Sequence, residues 1–317
     1  MKSLITGIDG FVGSHLAEQL LERGDEVAGT FHYDPNLTHL EHIRGRIDPY
    51  YLDLRDSGRI GSILEQTRPD RIYHLAALAF VPASFKSPRL AFEVNLLGTI
   101  RLYDCVAEAG LDPKILFIST AEVYGAAPPE ELPLTEKTQP RPLSPYSISK
   151  LAAEMLSRQY ARRKGAKIVS VRPFNHTGAR QAPLFVCSDF AKQIAEIEKG
   201  LREPQMSVGN LDAKRDFTDV RDVVRAYLLA LEKCPPDGDI YLIGSGKSVS
   251  IREVLDMLLS MSTAKIAVKQ DPARMRPSDI PDMYGDCSKL ESITGWKPEY
   301  AFEQTLRAVL DYWRTNV

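Results

Sequence analysis

Tyr146 and Lys150 stand four residues apart in Ser144-Pro145-Tyr146-Ser147-Ile148-Ser149-Lys150, which reads as the opening of a helix. That spacing puts both side chains on one helical face. A phenol ordinarily titrates near ~10 and is a poor acid or base at neutral pH. A neighbouring ammonium favours the phenolate and is expected to draw it toward the working range. The pair is therefore a candidate acid–base couple, and Lys150 can also hold the ribose hydroxyls of a nicotinamide nucleotide. Upstream, Ile118-Ser119-Thr120-Ala121-Glu122-Val123-Tyr124-Gly125 follows a β-rich run. Thr120 can hydrogen-bond a sugar oxygen while Tyr146 moves a proton. Glu122 can orient the sugar or act as a base toward a carbon acid.

A second constellation is Thr6-Gly7-Ile8-Asp9-Gly10-Phe11-Val12-Gly13, between the apolar run Ser3 to Thr6 and an amphipathic stretch from Val12 to Arg23. A strand has to turn sharply there if backbone amides and a helix N-terminus are to face a pyrophosphate. Glycine supplies the tight turn and the close backbone approach. The position of this Gly-x-x-Gly-x-x-Gly, directly after an N-terminal strand, predicts dinucleotide binding by Gly7, Gly10, Phe11, Val12 and Gly13. The next strand, Glu26 to Phe31, ends in Gly29-Thr30-Phe31-His32-Tyr33. An acid at that tip would select NAD through its ribose 2'-hydroxyl, and a base would accept the 2'-phosphate of NADP. Phe31 stands where the acid is expected, with Asp34 further along and His32 a weak phosphate ligand. The tip favours NADP(H), with NAD(H) as the alternative.

The elements that must hold these groups alternate. Further β-rich runs are Arg71 to Leu75, Ile115 to Ser119 and Ile168 to Val171. Helical patterns lie between them at Ser57 to Gln66, Arg89 to Ala109 and Pro145 to Arg163. Short apolar strands alternating with helices imply an α/β fold, a Rossmann-like doubly wound parallel sheet covered on both faces. After Arg172 the elements shorten and Pro and Gly recur, with helical patterns at Val220 to Leu231, Ile251 to Met261 and Leu306 to Trp313. The expected division is a dinucleotide-binding domain over 1–172 with a return of about 210–247. A smaller, mostly C-terminal α/β substrate domain takes 173–209 and 248–317.

Composition narrows the partners. The chain has 317 residues, 40 Lys plus Arg against 42 Asp plus Glu, and a formal net charge of -2. Without a basic block it is a poor nucleic-acid or membrane-surface binder. No apolar run reaches membrane-span length, and the start lacks a signal-peptide core. Cys105, Cys187, Cys234 and Cys287 are far apart and form no CxxC pair. They predict no metal site and suit a cytoplasmic setting.

Together these residues resemble the extended short-chain dehydrogenase/reductases that act on nucleotide sugars. The likeness runs over nearly the whole chain. It includes the glycine loop, Leu75-Ala76-Ala77, Asn95 in Glu93-Val94-Asn95, Ser119-Thr120, Tyr146-x-x-x-Lys150 and Arg172-Pro173-Phe174-Asn175. Phe80-Val81-Pro82-Ala83-Ser84-Phe85, Phe174 to Gly178, Gly209-Asn210-Leu211, Arg215 to Val220 and Arg276-Pro277-Ser278-Asp279 look like the GDP-sugar branch. The resemblance implies cofactor contacts at Asp53, Leu54, Leu75, Ala76, Ala77, Asn95, Ser119 and Pro173, with Asp53 on the adenine amino group. It implies substrate contacts at Phe80, Val81, Asn175, Phe185, Val186, Lys192, Arg215 and Arg276, with Asn175 and Arg215 on the diphosphate. It also implies a homodimer through the helices at Arg89 to Ala109 and Pro145 to Arg163.

The expected activity is reduction of a GDP-4-keto-6-deoxyhexose at C4. The alternative is a GDP-mannose 4,6-dehydratase with Glu122 as base, because dehydratases share the Thr120 and Glu122 pattern. They usually carry an Arg-Arg-Ser-Ser-type run after the second strand, where this chain has His32-Tyr33-Asp34-Pro35. A non-catalytic dinucleotide sensor is a more distant alternative, and it would need neither Tyr146 nor Lys150.

Overall fold

The computed structural model describes residues 1–32, 34, 37–275 and 280–317. In chain order, β1 (Lys2–Thr6), α1 (Phe11–Glu22), β2 (Glu26–Phe31), β3 (Ile47–Tyr51), α2 (Ser57–Thr67) and β4 (Arg71–His74) come first. Next are α3 (Val81–Lys86), α4 (Pro88–Phe92), α5 (Gly98–Glu108), β5 (Lys114–Ile118), α6 (Pro145–Lys164) and β6 (Ile168–Pro173). Beyond them run β7 (Asn175–Thr177), α7 (Val186–Glu198), β8 (Gln205–Val208), β9 (Lys214–Arg215), β10 (Phe217–Asp219) and α8 (Val220–Lys233). The chain ends with β11 (Asp237–Ile243), β12 (Val249–Ser250), α9 (Ile251–Ser260), β13 (Ala267–Gln270), α10 (Ser288–Thr294) and α11 (Phe302–Asn316).

Seven strands form one sheet in the order β11-β6-β5-β4-β1-β2-β3, and every neighbouring pair is parallel. The order reverses between β1 and β4, where a parallel sheet opens a crevice at its carboxyl ends. Side chains alternate between two cores because a strand has a period of two. Ile5, Val27, Tyr73 and Leu116 enter a core covered by Leu16 and Leu20 of α1 and Val224 and Leu228 of α8. Leu4, Ala28, Ile72 and Phe117 enter the opposite core with Ile60 and Leu64 of α2, Leu102 of α5 and Ala153 of α6. Pro49 is tolerated in β3 because that strand is an edge and needs fewer ladder donors.

Two elements differ from the sequence reading. Arg89 to Ala109 is not one helix: α4 gives way to a wide π-type turn, Glu93–Leu97, before α5 begins. Such turns mark places where a helix aims a side chain out of register, and here that side chain is Asn95. The strand β11 was not read from its own segment, and it extends the sheet by pairing with β6. A third core, with Phe190 and Ile194 of α7, Val254 and Leu258 of α9 and Leu306 of α11, lies in the C-terminal half. Leu290 and Trp296, also late in the chain, pack in the first core instead. Among the described residues no helix is long and apolar enough to cross a membrane.

Candidate active site at the carboxyl end of the sheet

Ser144 caps α6 and exchanges hydrogen bonds with Ser147 in a capping box, which fixes the first turn and Tyr146 within it. Thr120 sits where β5 ends, capping a short 3-10 turn from Ala121 to Tyr124. Its hydroxyl accepts from the Glu122 amide at 3.2 Å and is hydrogen-bonded to the Tyr146 phenol. Burial pushes the Tyr146 phenol up to about 12; the Thr120 hydrogen bond works against this and the Glu122 charge adds to it. Lys150 is only 4% exposed, and its ammonium lies 4.7 Å from the centre of the Phe117 ring. Burial brings it down to about 7, with Glu154 opposing. The expectation that Lys150 would depress Tyr146 is thus reversed in this fold. Both groups lose water, so burial penalises the phenolate and the ammonium alike.

The cofactor cradle is built by close approach. Gly7 takes φ +75°, where a Cβ would stand 3.1 Å from the Ala76 Cα, and a Cβ on Gly13 would stand 2.2 Å from the Gly7 carbonyl. Gly10 caps α1 in extended conformation, followed by Phe11 and Val12, so the helix N-terminus faces the crevice between β1 and β4. Leu75, Ala76 and Ala77 follow β4, and the Ala76 amide donates to Thr6 Oγ1 at 3.0 Å. His74 lies between Thr6 and Thr99, at 2.9 and 3.0 Å. Burial first, then the Lys150 charge, holds it down to about 3. The Ser119 hydroxyl is buried with no hydrogen-bond partner. A glycine cradle and an orphaned buried hydroxyl fit a bound dinucleotide. Pro173 is buried at the end of β6, in register with Ile243.

Asn95 is engaged within the protein. Its Oδ1 accepts from the Leu78 amide at 2.8 Å, and its Nδ2 donates to the Leu78 carbonyl and to Ser149 Oγ. Asp53 likewise gives both carboxylate oxygens to Arg55, at 2.6–3.0 Å. That bond drives the Asp53 carboxyl down to about 2. His32 Nε2 lies 3.6 Å from Asp53, and its ring stacks on Tyr51. The Leu54 side chain is buried in the second core, close under Gly98.

On the substrate side, Phe80 at the start of α3 meets Phe185 at the start of α7 edge-on, with ring centres 6.0 Å apart; Val81 and Val186 open the two helices. Asn175 is on β7, in register with Phe217 of the strand after Arg215. The Arg215 guanidinium donates to the Ile280 carbonyl at 2.5 Å. Arg276 lies outside the described residues. Lys192 is not gathered into this group. It pairs with Glu196 at 3.6 Å and lies 5.2 Å from the Trp313 ring of α11, on a surface cleft shared with Leu201 and Arg202. The Asp53–Arg55 pair was not anticipated, because a lone charged residue carries no local motif.

The chain matches the GDP-mannose 4,6 dehydratase family over residues 4–309. It is 36% identical over 313 residues to the GDP-6-deoxy-D-mannose reductase of Pseudomonas aeruginosa, covering 99% of this chain and 97% of that protein. It is 33% identical over 349 residues to the GDP-mannose 4,6 dehydratase of Homo sapiens, covering 99% and 92%. Among solved structures, the NADPH complex of Pseudomonas aeruginosa RMD superimposes with a TM-score of 0.85 at 33% identity over the full length of both chains. The NAD complex of Thermus thermophilus UDP-glucose 4-epimerase does so with 0.89 at 33% identity, again over both full chains.

Proposed function

The chain belongs to the GDP-mannose 4,6 dehydratase family, and from that premise we propose that it is an NADPH-dependent reductase of a GDP-4-keto-6-deoxyhexose, acting at C4 to give a 6-deoxymannose (rhamnose-type) nucleotide. The observation that carries this reading is the Tyr146 phenol. It is bonded to Thr120 and kept protonated by burial and by the Glu122 charge, which makes it a proton donor in waiting. The dinucleotide supplies the hydride when bound. Tyr146 gives its proton to the C4 oxygen, Thr120 holds that oxygen in line, and Lys150 places a cation beside the forming alkoxide and the nicotinamide ribose.

Dinucleotide binding is assigned to Gly7, Gly10, Phe11, Val12, Gly13, His32, Asp53, Leu75, Ala76, Ala77 and Ser119, with Asn95 positioning the Leu78 segment rather than touching the ligand. Phe31, standing where an NAD-selecting acid is expected, supports NADPH over NADH. Phe80, Val81, Asn175, Phe185, Val186, Arg215 and Arg276 take the nucleotide sugar. The dinucleotide is assigned to 1–172 and about 210–247, and the sugar nucleotide to the remainder. Exposed Leu97, Ile148 and Met155 support a homodimer through the helices around them. The unpaired cysteines support a cytoplasmic setting.

The decisive experiment offers GDP-mannose alone, then its 4-keto-6-deoxy product with NADPH. NADPH consumption only with the keto sugar supports the reductase. Turnover of GDP-mannose without reductant would make it a 4,6-dehydratase, and turnover of neither would make it a non-catalytic binder.

A further inference from the structure

Arg172 of β6 and Glu154 of α6 form a sealed ion pair, each side chain only 3% exposed. Arg172 Nε donates to Glu154 Oε2 at 2.8 Å, and Nη2 donates to Oε1 at 2.6 Å. The third nitrogen, Nη1, donates to the Tyr124 hydroxyl at 2.8 Å, which donates on to the Thr135 carbonyl at 2.8 Å. Tyr124 closes the 3-10 turn that Thr120 caps, so the guanidinium is pinned at every nitrogen. A buried ion pair is seldom more stabilising than well-packed apolar residues of the same volume. Its place one helical turn from Lys150 gives it another use.

Lys150 and Glu154 are four residues apart on one face of α6, and both are buried. The Glu154 charge works against the loss of the Lys150 proton. Yet both its oxygens go to Arg172, and among the described residues it makes no ion pair with Lys150. The other titratable groups about Lys150 supply no counter-charge. His74 of β4 is held neutral, by burial first and then by Lys150 itself. Tyr146 stays protonated, and the charge of Glu122 on the turn after β5 bears on that phenol. β5 offers only the Phe117 ring. Of the other elements packed on α6, the wide turn pairs Glu93 with Arg89, α5 bonds Tyr103 to Ser157, and β11 pairs Asp239 with Lys289. Lys86 of α3 is exposed.

We propose that Arg172 withholds Glu154 from Lys150, so that Glu154 favours the ammonium by its charge at a distance and leaves the ammonium donors for the dinucleotide and the sugar. This rests on the reductase reading, in which Lys150 is the cation beside the C4 oxygen, and it makes Glu154 and Arg172 positioning residues for that charge. Without Glu154, burial acts on Lys150 unopposed and its proton leaves at lower pH. Without Arg172, the carboxylate is released to pair with Lys150 directly, and the proton is held to higher pH.

The test reads Lys150 directly, by carbon-13 NMR of the lysine ε-carbons in the intact protein, its signal identified by its loss in Lys150→Arg. Wild type should titrate at about 7. Glu154→Gln should lower this by about one pH unit or more, and Arg172→Met should raise it by as much. The decline of kcat/KM for the keto sugar should move with the signal. Loosened packing cannot give opposite shifts, because readmitted water raises a buried lysine in every variant. With Glu154→Gln and Arg172→Met combined, the titration should match that of Glu154→Gln alone, since Arg172 acts only through Glu154. The double variant leaves no buried ion unpaired, so it decides the matter even where Arg172→Met does not fold. An unmoved Lys150 in Glu154→Gln or in the double variant, or no rise in folded Arg172→Met, overturns the inference. The expected Lys150 shifts in a protein that reduces no keto sugar would sustain the inference and remove the reductase reading.

Discussion

The Asn95 amide donates to the Ser149 hydroxyl at 3.0 Å, and that hydroxyl in turn donates to the Tyr146 carbonyl at 2.7 Å. The wide turn before α5 is thereby tied to the catalytic turn of α6. Asn95→Ala leaves buried partners at Leu78 and Ser149 unsatisfied and should cost about 2–4 kcal/mol of stability. In thermal melts it should unfold earlier. In kinetics kcat should fall more than KM rises, and unchanged kcat in the folded variant would remove the positioning role.

Tyr146→Phe should lower turnover by about 10²–10⁴-fold, the usual contribution of a general acid. Dinucleotide affinity, read by fluorescence titration, should stay within a few-fold. Near wild-type turnover would show that another group delivers the proton.

Lys150 sets the expected pH dependence. With its titration brought down to about 7, it is cationic below that pH and neutral above. The free-enzyme profile, kcat/KM for the keto sugar, should therefore decline as pH rises through about 7. Lys150→Arg keeps its charge and should move the decline upward, even where its overall rate is lower. A flat wild-type profile across pH 6–8 (the window about that value) contradicts this.

Glu122 divides reductase from dehydratase. A dehydratase needs a base for the C5 proton, whereas a reductase has no carbon proton to remove. Glu122→Gln should retain measurable 4-keto reduction, slowed by roughly 10- to 150-fold for one lost charged hydrogen bond. Wild type should not exchange the C5 hydrogen with solvent deuterium in mass spectra. Rapid exchange, abolished by Glu122→Gln, would assign the dehydratase instead.

NADPH should be preferred to NADH or equal to it, because Phe31 stands where an NAD-selecting acid is expected. Side-by-side kcat/KM values that strongly favour NADH would refute this.

What the sequence determined by itself was local in origin. The Tyr146–Lys150 face depends only on helical pitch, and the glycine loop depends only on a turn between a strand and its own helix. The alternation of β1, β2, β4, β5 and β6 with helices was visible as short apolar runs, and it implied the parallel sheet. Tertiary structure decided whatever joins distant segments. Asp189 and Arg274 are 85 residues apart and meet through the pairing of β8 with β13. Lys192, three residues on, goes to Trp313 of α11. Asn95 leaves its helix through a wide turn that apolar periodicity does not encode. The titration of Tyr146 and Lys150 turned on depth: spacing says which groups are neighbours, but only the packed sheet and helices determine how much water each has lost, and at this site desolvation outweighs the neighbour's charge.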